Sequence, residues 1–393
     1  MIGLFNECFP PVMDGVSITV YNLAQQFYKA GQDVSVITPS CPGLRSADYP
    51  FDILTYFSLP VPIRPPYRCG MPFLDMKFQR TLEETKFDVV HAHSPFSSGK
   101  LALKVARAQG IPLVATFHSK YRDDFMRIFK NETIVNHIIR QIVDFYEQAD
   151  EVWVPQASVG RTLRSYGYKG HYSVMENGCE FAGMPYSEQG KQEARQMLHI
   201  DNNEPMLLFV GQHIWEKNLR LVVEALGKIA TTPYHAVFVG DGYAREELVA
   251  MATRMGLTGH TNYHQDKVTF LGSITDRDLI RQIYMGADLL LFPSMYDNAP
   301  LVVREAAAMH TPAIVARHSN TSEIITDNYN GFIADNNVDA FAARLKELLG
   351  QPRLLAKASE IAPRTIVRSW KSVAEETLRR YQLLIGLQHY QVA

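Results

Sequence analysis

The sequence predicts an α/β protein with two doubly wound parallel-sheet domains, and three observations carry that prediction. Short apolar, β-branched runs alternate with helical stretches, the pattern of a parallel sheet covered by helices on both faces. The pattern stops near the middle of the chain and then restarts. At 393 residues, 46% of them hydrophobic, the chain is also too long for one comfortable core.

Taken in order, the strands of the first half are expected at 2–5, 34–38, 89–92, 113–116, 152–155 and 172–175, each bounded by turn residues. The second set falls at 206–210, 236–239, 268–271, 289–292, 313–315 and 332–334, with helices over 219–230 and 245–255 between them. Between the sets, residues 177–193 carry Gly178, Gly183, Pro185 and Gly190, which mark a hinge. The expected division is therefore 1–182, 183–369 and a final segment 370–393. Residues 370–387 have helical periodicity and no place in the second sheet, so this helix is expected to cross back to the first domain. No solenoid repeat or low-complexity tract is present.

Composition narrows the class. A formal net charge of −2 gives no general reason to bind nucleic acid. Cys8, Cys41, Cys69 and Cys179 lie far apart with no CxxC, against both zinc and a disulfide framework, and a reducing cytoplasm is expected. No apolar run reaches the roughly 18–20 residues that span a bilayer, and the start MIGLFNECFPP lacks the basic region and long apolar core of a signal peptide. Any membrane contact is expected to be peripheral, on the inner face of the cell membrane.

The most informative stretch is 291–309, LFPSMYDNAPLVVREAAAM, where a strand passes through a Pro/Asn-rich turn into a helix carrying Asp297 and Glu305. Open α/β sheets bind ligands where a strand hands over to a helix, and a helix N-terminus offers donors and partial positive charge suited to phosphate. The stretch reads as a nucleotide-sugar pocket.

In order and spacing, PPVMDGVSITVYNLA, VHAHSPFSSGKLA, VATFHSKY, VGQHIWEKN, FVGDGYAREEL, VTFLGSITDRDL and the 291–309 stretch resemble the retaining nucleotide-sugar glycosyltransferases of family 4, of GT-B architecture. The likeness runs through nearly the whole chain. Residues 57–72 and the segment after His118 further resemble bacterial and plastid enzymes that glycosylate diacylglycerol or glucosyl-diacylglycerol. The resemblance implies an acceptor-side first domain and a nucleotide-sugar-binding second domain facing across a cleft.

It also implies site residues. Lys217, in the loop 211–218 that opens with Gly211, takes the place of the family's phosphate-binding Lys; Gln212 stands where the family has Arg, and His213 is a possible substitute. Gly15 keeps one of the family's usual Gly-Gly pair, with Asp14 as the other; Asp14 would repel phosphate if turned inward, or serve simply as a helix cap. Asp297 and Glu305 take the places of the paired glutamates that face the transferred sugar and the ribose; the plainer alternative for Glu305 is pairing with Arg304 or Arg317. Pro300 replaces a usual Gly and lacks an N–H, leaving Leu301 and Val302 as donors. His118 matches a His lining the donor-sugar and acceptor side. Gly240, in Gly240-Asp241-Gly242, and Ile274 border the nucleotide and base. His91 and His93 read as polar strand-end residues, with no metal expected.

The implied function is a retaining hexosyltransferase moving a sugar from a nucleoside diphosphate sugar, UDP-glucose or UDP-galactose, to a hydroxyl acceptor, with an inclination to a diacylglycerol-type lipid. His118, Lys217 and Asp297 are the expected catalytic residues, with no cofactor and no essential metal. Tyr67 and Phe73 near Arg64 and Arg68, and the apolar and basic positions within 122–146, are candidate lipid-facing features; a core-packing amphipathic helix is the alternative for the latter. The alternatives for function are a soluble or polysaccharide acceptor, a nucleotide-sugar-binding module with impaired catalysis, and an epimerase of the same fold.

Overall fold

A computed structural model describes residues 1–62, 66–259 and 266–392, with side chains through 388. The chain divides into two compact units, Met1–Gly178 with Trp370–Ala393, and Cys179–Ser369. Both contain a parallel sheet, as the alternating pattern requires.

In the first unit β1 (Ile2–Phe5), α1 (Gly15–Lys29), β2 (Val34–Pro39) and β3 (Asp52–Tyr56) are followed by a small antiparallel hairpin, β4 (Ser58–Pro60) and β5 (Arg68–Gly70). Then come α2 (Met76–Glu84), β6 (Val89–Ala92), α3 (Ser97–Gln109), β7 (Leu113–Thr116), α4 (Tyr121–Phe129), α5 (Glu132–Tyr146), β8 (Glu151–Val154), α6 (Ala157–Ser165) and β9 (Ser173–Val174). The seven-stranded sheet has the order β3-β2-β1-β6-β7-β8-β9. Every residue of β1, β2, β6 and β7 is buried, because a parallel strand covered on both faces has no solvent side.

Besides the β4–β5 hairpin, two stretches of the first unit depart from the sequence reading. β3 escapes it because this edge strand alternates exposed and buried positions, so no continuous apolar run marks it. Residues 122–146 are two helices, broken where Lys130 adopts left-handed backbone at φ 48° and Asn131 caps α5 by accepting from the Ile134 amide. Their apolar face mostly packs inward: Val135, Ile139, Ile142, Val143, Phe145 and Tyr146 are buried in the unit's core. Only Ile128, Phe129 and Ile134, around the break, stay exposed.

The second unit contains α7 (Glu188–Met197), β10 (Met206–Val210), α8 (Leu219–Lys228), β11 (His235–Val239), α9 (Arg245–Arg254), β12 (Val268–Gly272) and α10 (Arg277–Gly286). It continues through β13 (Leu289–Phe292), α11 (Leu301–Ala308), β14 (Ala313–Ala316), β15 (Phe332–Ala334), α12 (Val338–Leu349) and α13 (Pro352–Ile366). Its sheet order is β12-β11-β10-β13-β14-β15. Successive side chains of a strand point to opposite faces, and here they feed two cores. Leu207, Phe209, Ala236, Phe238, Leu289 and Leu291 join helix residues of α8, α9 and α12. Met206, Leu208, Val237, Val239, Leu290 and Phe292 join those of α10 and α11.

The final helix, α14 (Trp370–Val392), packs on α1 within the first unit. Trp370, Val373, Ala374, Thr377 and Tyr381 are its buried stripe, at the three-to-four spacing of one helix face. The Tyr381 ring stacks on Trp153 at 5.7 Å and meets Phe27 edge-on, while its hydroxyl lies 2.6 Å from His91 Nδ1.

Candidate active site

In the second sheet the strand order reverses direction between β10 and β13, and the loops leaving the carboxyl ends of those two strands flank the place where such sheets bind ligands. Lys217 lies on the loop after β10, in the 3₁₀ turn Trp215–Lys217, and Asp297 on the loop after β13. The Lys217 ammonium and Asp297 Oδ1 form an ion pair, both side chains being largely buried. Asn218 Nδ2 donates to the Pro293 carbonyl at 3.3 Å and ties the two loops. Asp297 Oδ2 is buried and has no hydrogen-bond partner among the described residues.

Next to this pair α11 begins at Leu301, immediately after Pro300, and no side chain caps it. The Leu301 and Val302 amides therefore stand at the positive end of the helix with no intrahelical partner. Proline at the N-cap removes no donor the helix needs, since an N–H there takes no part in the intrahelical ladder.

Glu305 lies farther along α11 and is buried. It pairs with neither Arg304, whose Nη1 donates to the Ile366 carbonyl at 2.6 Å, nor Arg317, which pairs with Asp335. Instead Oε1 accepts from Arg277 Nη2 at 2.6 Å and Oε2 from the Tyr284 hydroxyl at 3.0 Å. Arg277 also pairs with Glu180 at 3.0 Å, and its guanidinium lies 4.9 Å from the Phe181 ring centroid. Burial, and then the Glu305 charge, push the Tyr284 phenol well above its ordinary value, so it stays a neutral donor.

One expectation in this unit is corrected. His213 does not replace the missing arginine: it is fully buried, with Phe209, Phe238 and Phe270 about it at 5.9–6.3 Å. Burial lowers its pKa to about 4, so it carries no charge for a phosphate at neutral pH. Gly240 has a packing reason for being glycine. At φ 134° its missing Cβ would lie 1.9 Å from the Gly211 carbonyl oxygen, and the Gly211 amide donates to the Val239 carbonyl at 3.0 Å. Gly211 and Gly240 thus let two loops lie backbone to backbone. Gln212 is exposed, and Ile274, half-buried between β12 and α10, packs on the core beneath it.

In the first unit Gly15 and His118 follow β1 and β7. Asp14 is a helix cap: Oδ1 accepts from the Val16 and Ser17 amides at 3.0 and 2.7 Å, and the Ser17 hydroxyl accepts from the Asp14 amide. The first turn of α1 is thereby occupied by its own carboxylate. A Cβ on Gly15 would meet nothing within 4 Å. The Tyr67 hydroxyl donates to Asp14 Oδ2 at 3.1 Å, and Arg68 donates twice to Ser58, at 2.7 and 2.8 Å. Both residues are committed to the hairpin and α1 rather than free to face lipid; Arg64 lies outside the described residues.

His118 Nε2 lies 3.1 Å from His93 Nδ1, with the two rings stacked at 5.4 Å. His91 sits between Tyr381 and Thr116, 2.7 Å from the Thr116 hydroxyl. Burial lowers all three, His118 to about 4. Each is neutral when folded but binds a proton near pH 6.5 when unfolded, so stability is full above about 6.5 and declines as pH falls toward 4. For His118 this amounts to at most about 1.4 kcal/mol per pH unit, less where solvent screens the ring. Glu7, raised by burial despite the hydrogen bonds it accepts from Ser97 and Ser98, works in the opposite sense. The comparison that isolates the imidazole is wild type against His118→Gln. Urea midpoints should show wild type losing ground to the variant between pH 6.5 and 4; parallel curves would refute the neutral assignment.

Among the described residues no group of three or more His, Cys, Asp or Glu is placed to hold a metal ion, and no helix is long and apolar enough to cross a membrane.

Two Rossmann-like units, with a Lys–Asp pair and an uncapped helix terminus at the switch point of the second, have counterparts among known proteins. Residues 13–182 match the family model Glycosyltransferase Family 4 and residues 190–365 the model Glycosyl transferases group 1. The chain is a glycosyltransferase of GT-B fold. Within that class its first half matches the family 4 domain and its second half the group 1 domain. It is similar to the alpha-monoglucosyldiacylglycerol synthases of Streptococcus pneumoniae (26% identity, 89% of this chain and 79% of that one) and Acholeplasma laidlawii (24% identity, 96% of each). In fold it is similar to Anabaena HepE solved in complex with UDP (16% identity, TM-score 0.77, 98% of this chain and 100% of that one).

Arg277, Tyr284 and Glu180 are members of the site that sequence reasoning missed. The one available signal is the position of Arg277 at the start of the helix after β12, beside the stretch Gly272-Ser273-Ile274.

Proposed function

We propose that the chain transfers a hexosyl group, with retention, from UDP-glucose or UDP-galactose to a hydroxyl of a diacylglycerol-type lipid at the inner face of the cell membrane. The observation that carries the reading is the Lys217–Asp297 pair beside the uncapped amides of Leu301 and Val302. A departing diphosphate needs positive charge and fixed donors where its own charge grows, and that set provides both without reorganisation. The C1–O bond to the diphosphate breaks, the acceptor oxygen bonds to C1 from the same face, and the acceptor proton passes to the departing phosphate oxygen. Asp297 Oδ2 is left to accept from a sugar hydroxyl, and Glu305 from the ribose diol. No cofactor or metal enters these steps.

The donor choice is supported by HepE, solved with UDP, and the acceptor choice by the two relatives named for diacylglycerol. Phe73, Leu74 and Met76, 68%, 57% and 77% exposed, supply an apolar edge suited to peripheral membrane contact.

The test is nucleoside diphosphate release from UDP-, GDP- and ADP-sugars, with and without detergent-dispersed diacylglycerol lipids. Release from a UDP-hexose that rises on adding lipid is expected. Release stimulated only by a soluble acceptor would remove the lipid, and nucleotide binding without release would leave a binding module. That last outcome has its own motive in the uncharged Gln212, in Asp297, one methylene shorter than glutamate, and in Pro300, which lacks an N–H.

A further inference from the structure

Glu305 is held from both sides, each of its oxygens accepting one hydrogen bond. An ionised carboxylate offers about four lone-pair positions. With Arg277 on Oε1 and Tyr284 on Oε2, one position on each oxygen is left, and the carboxylate cannot rotate without breaking a bond. Two acceptors of fixed separation suit a vicinal diol, which presents two hydroxyls about as far apart. Arg277 is fixed in turn: Glu180 takes its Nε and Nη2, and its guanidinium lies 4.9 Å from the Phe181 ring. Tyr284 is fully buried. The assembly has little freedom before any ligand arrives, which is how a supporting shell makes a site selective.

We propose that Arg277 and Tyr284 are positioning residues that set the orientation of Glu305, and that through it they make the site select ribonucleotides over their deoxy counterparts. The inference rests on the reading that Glu305 receives the ribose. A side chain that merely supported the fold would weaken binding of every nucleotide alike; a positioning residue weakens only the ligand that has the diol. The ratio of affinities for a ribonucleotide and its deoxy form therefore separates the two roles.

The experiment is calorimetric titration of the full chain with whichever of UDP, GDP or ADP binds it most tightly, and with the 2′,3′-dideoxy form of that nucleotide. Wild type is expected to prefer the ribonucleotide by roughly tenfold or more, as befits hydrogen bonds to a charged group. Glu305→Gln should bring the ratio close to one. Arg277→Gln and Tyr284→Phe should each reduce it several-fold while leaving the dideoxy affinity where it was. Tyr284→Phe removes only an oxygen and keeps the argument testable if Arg277→Gln folds poorly. Arg277→Lys, which keeps the charge but not the planar fork, is expected to restore little. A ratio that collapses in Glu305→Gln but is unchanged in both neighbours would overturn the positioning role. A ratio unchanged by Glu305→Gln itself, or no nucleotide binding at all, would overturn the ribose assignment and the inference with it.

Discussion

Lys217→Ala is expected to lower kcat/KM for the donor sugar by about 10²–10³, the loss typical of removing one preorganised group that stabilises charge in a transition state. The ion pair makes the effect larger than loss of a surface lysine. Asp297 would keep its charge with neither oxygen partnered by the lysine, and Oδ2 already lacks a partner among the described residues. That uncompensated carboxylate would repel the incoming diphosphate. The double variant Lys217→Ala/Asp297→Asn should therefore regain much of the nucleotide affinity and little of the turnover. Steady-state assays with titration of UDP decide it: turnover of Lys217→Ala within threefold of wild type would remove Lys217 from the chemistry.

Gly240→Val is expected to destabilise the second unit by about 3 kcal/mol or more, lowering its melting temperature by roughly 6–12 °C. The obstacle is backbone, with the Gly211 oxygen 1.9 Å and its carbonyl carbon 2.9 Å from the new Cβ, so no side chain can swing aside. The conformation adds its own cost, since φ 134° suits glycine. Gly15→Ala is the control, because its Cβ would enter open space. Differential scanning calorimetry should show the first variant melting early and the second melting with wild type. A Gly240→Val chain as stable as wild type would mean that the two loops do not pack as described.

What could be read in advance follows from where the information lies. β1, β10 and β13 were legible because buried parallel strands are continuous apolar runs set between turn residues. β3 and the β4–β5 hairpin were not, because an edge alternates and the hairpin is rich in Pro. The division of 122–146 depends on one left-handed residue, Lys130, which no hydrophobic period reports. In the site, Lys217 and Asp297 come from the loops that follow two strands, and strand ends can be located from sequence. The partners of Glu305 sit 28 and 21 residues upstream on another helix, and only tertiary packing brings them together. His213 illustrates the reverse failure: it follows Gly211 and Gln212 in an apparently polar loop, and three phenylalanines from three strands decide that it is buried and neutral.

The return of α14 to the first unit has a consequence for the order in which the protein is made. The slot formed by Phe27, His91 and Trp153 stays unfilled until Tyr381 has been synthesised, roughly 200 residues after Gly178 and about 10–40 s later at ordinary elongation rates. The second unit is contiguous from Cys179 to Ser369, so its whole chain has been made before α14 begins. The half that starts first on the ribosome is therefore the half that finishes last, and during the interval it presents an open aromatic slot to chaperones and to neighbouring nascent chains.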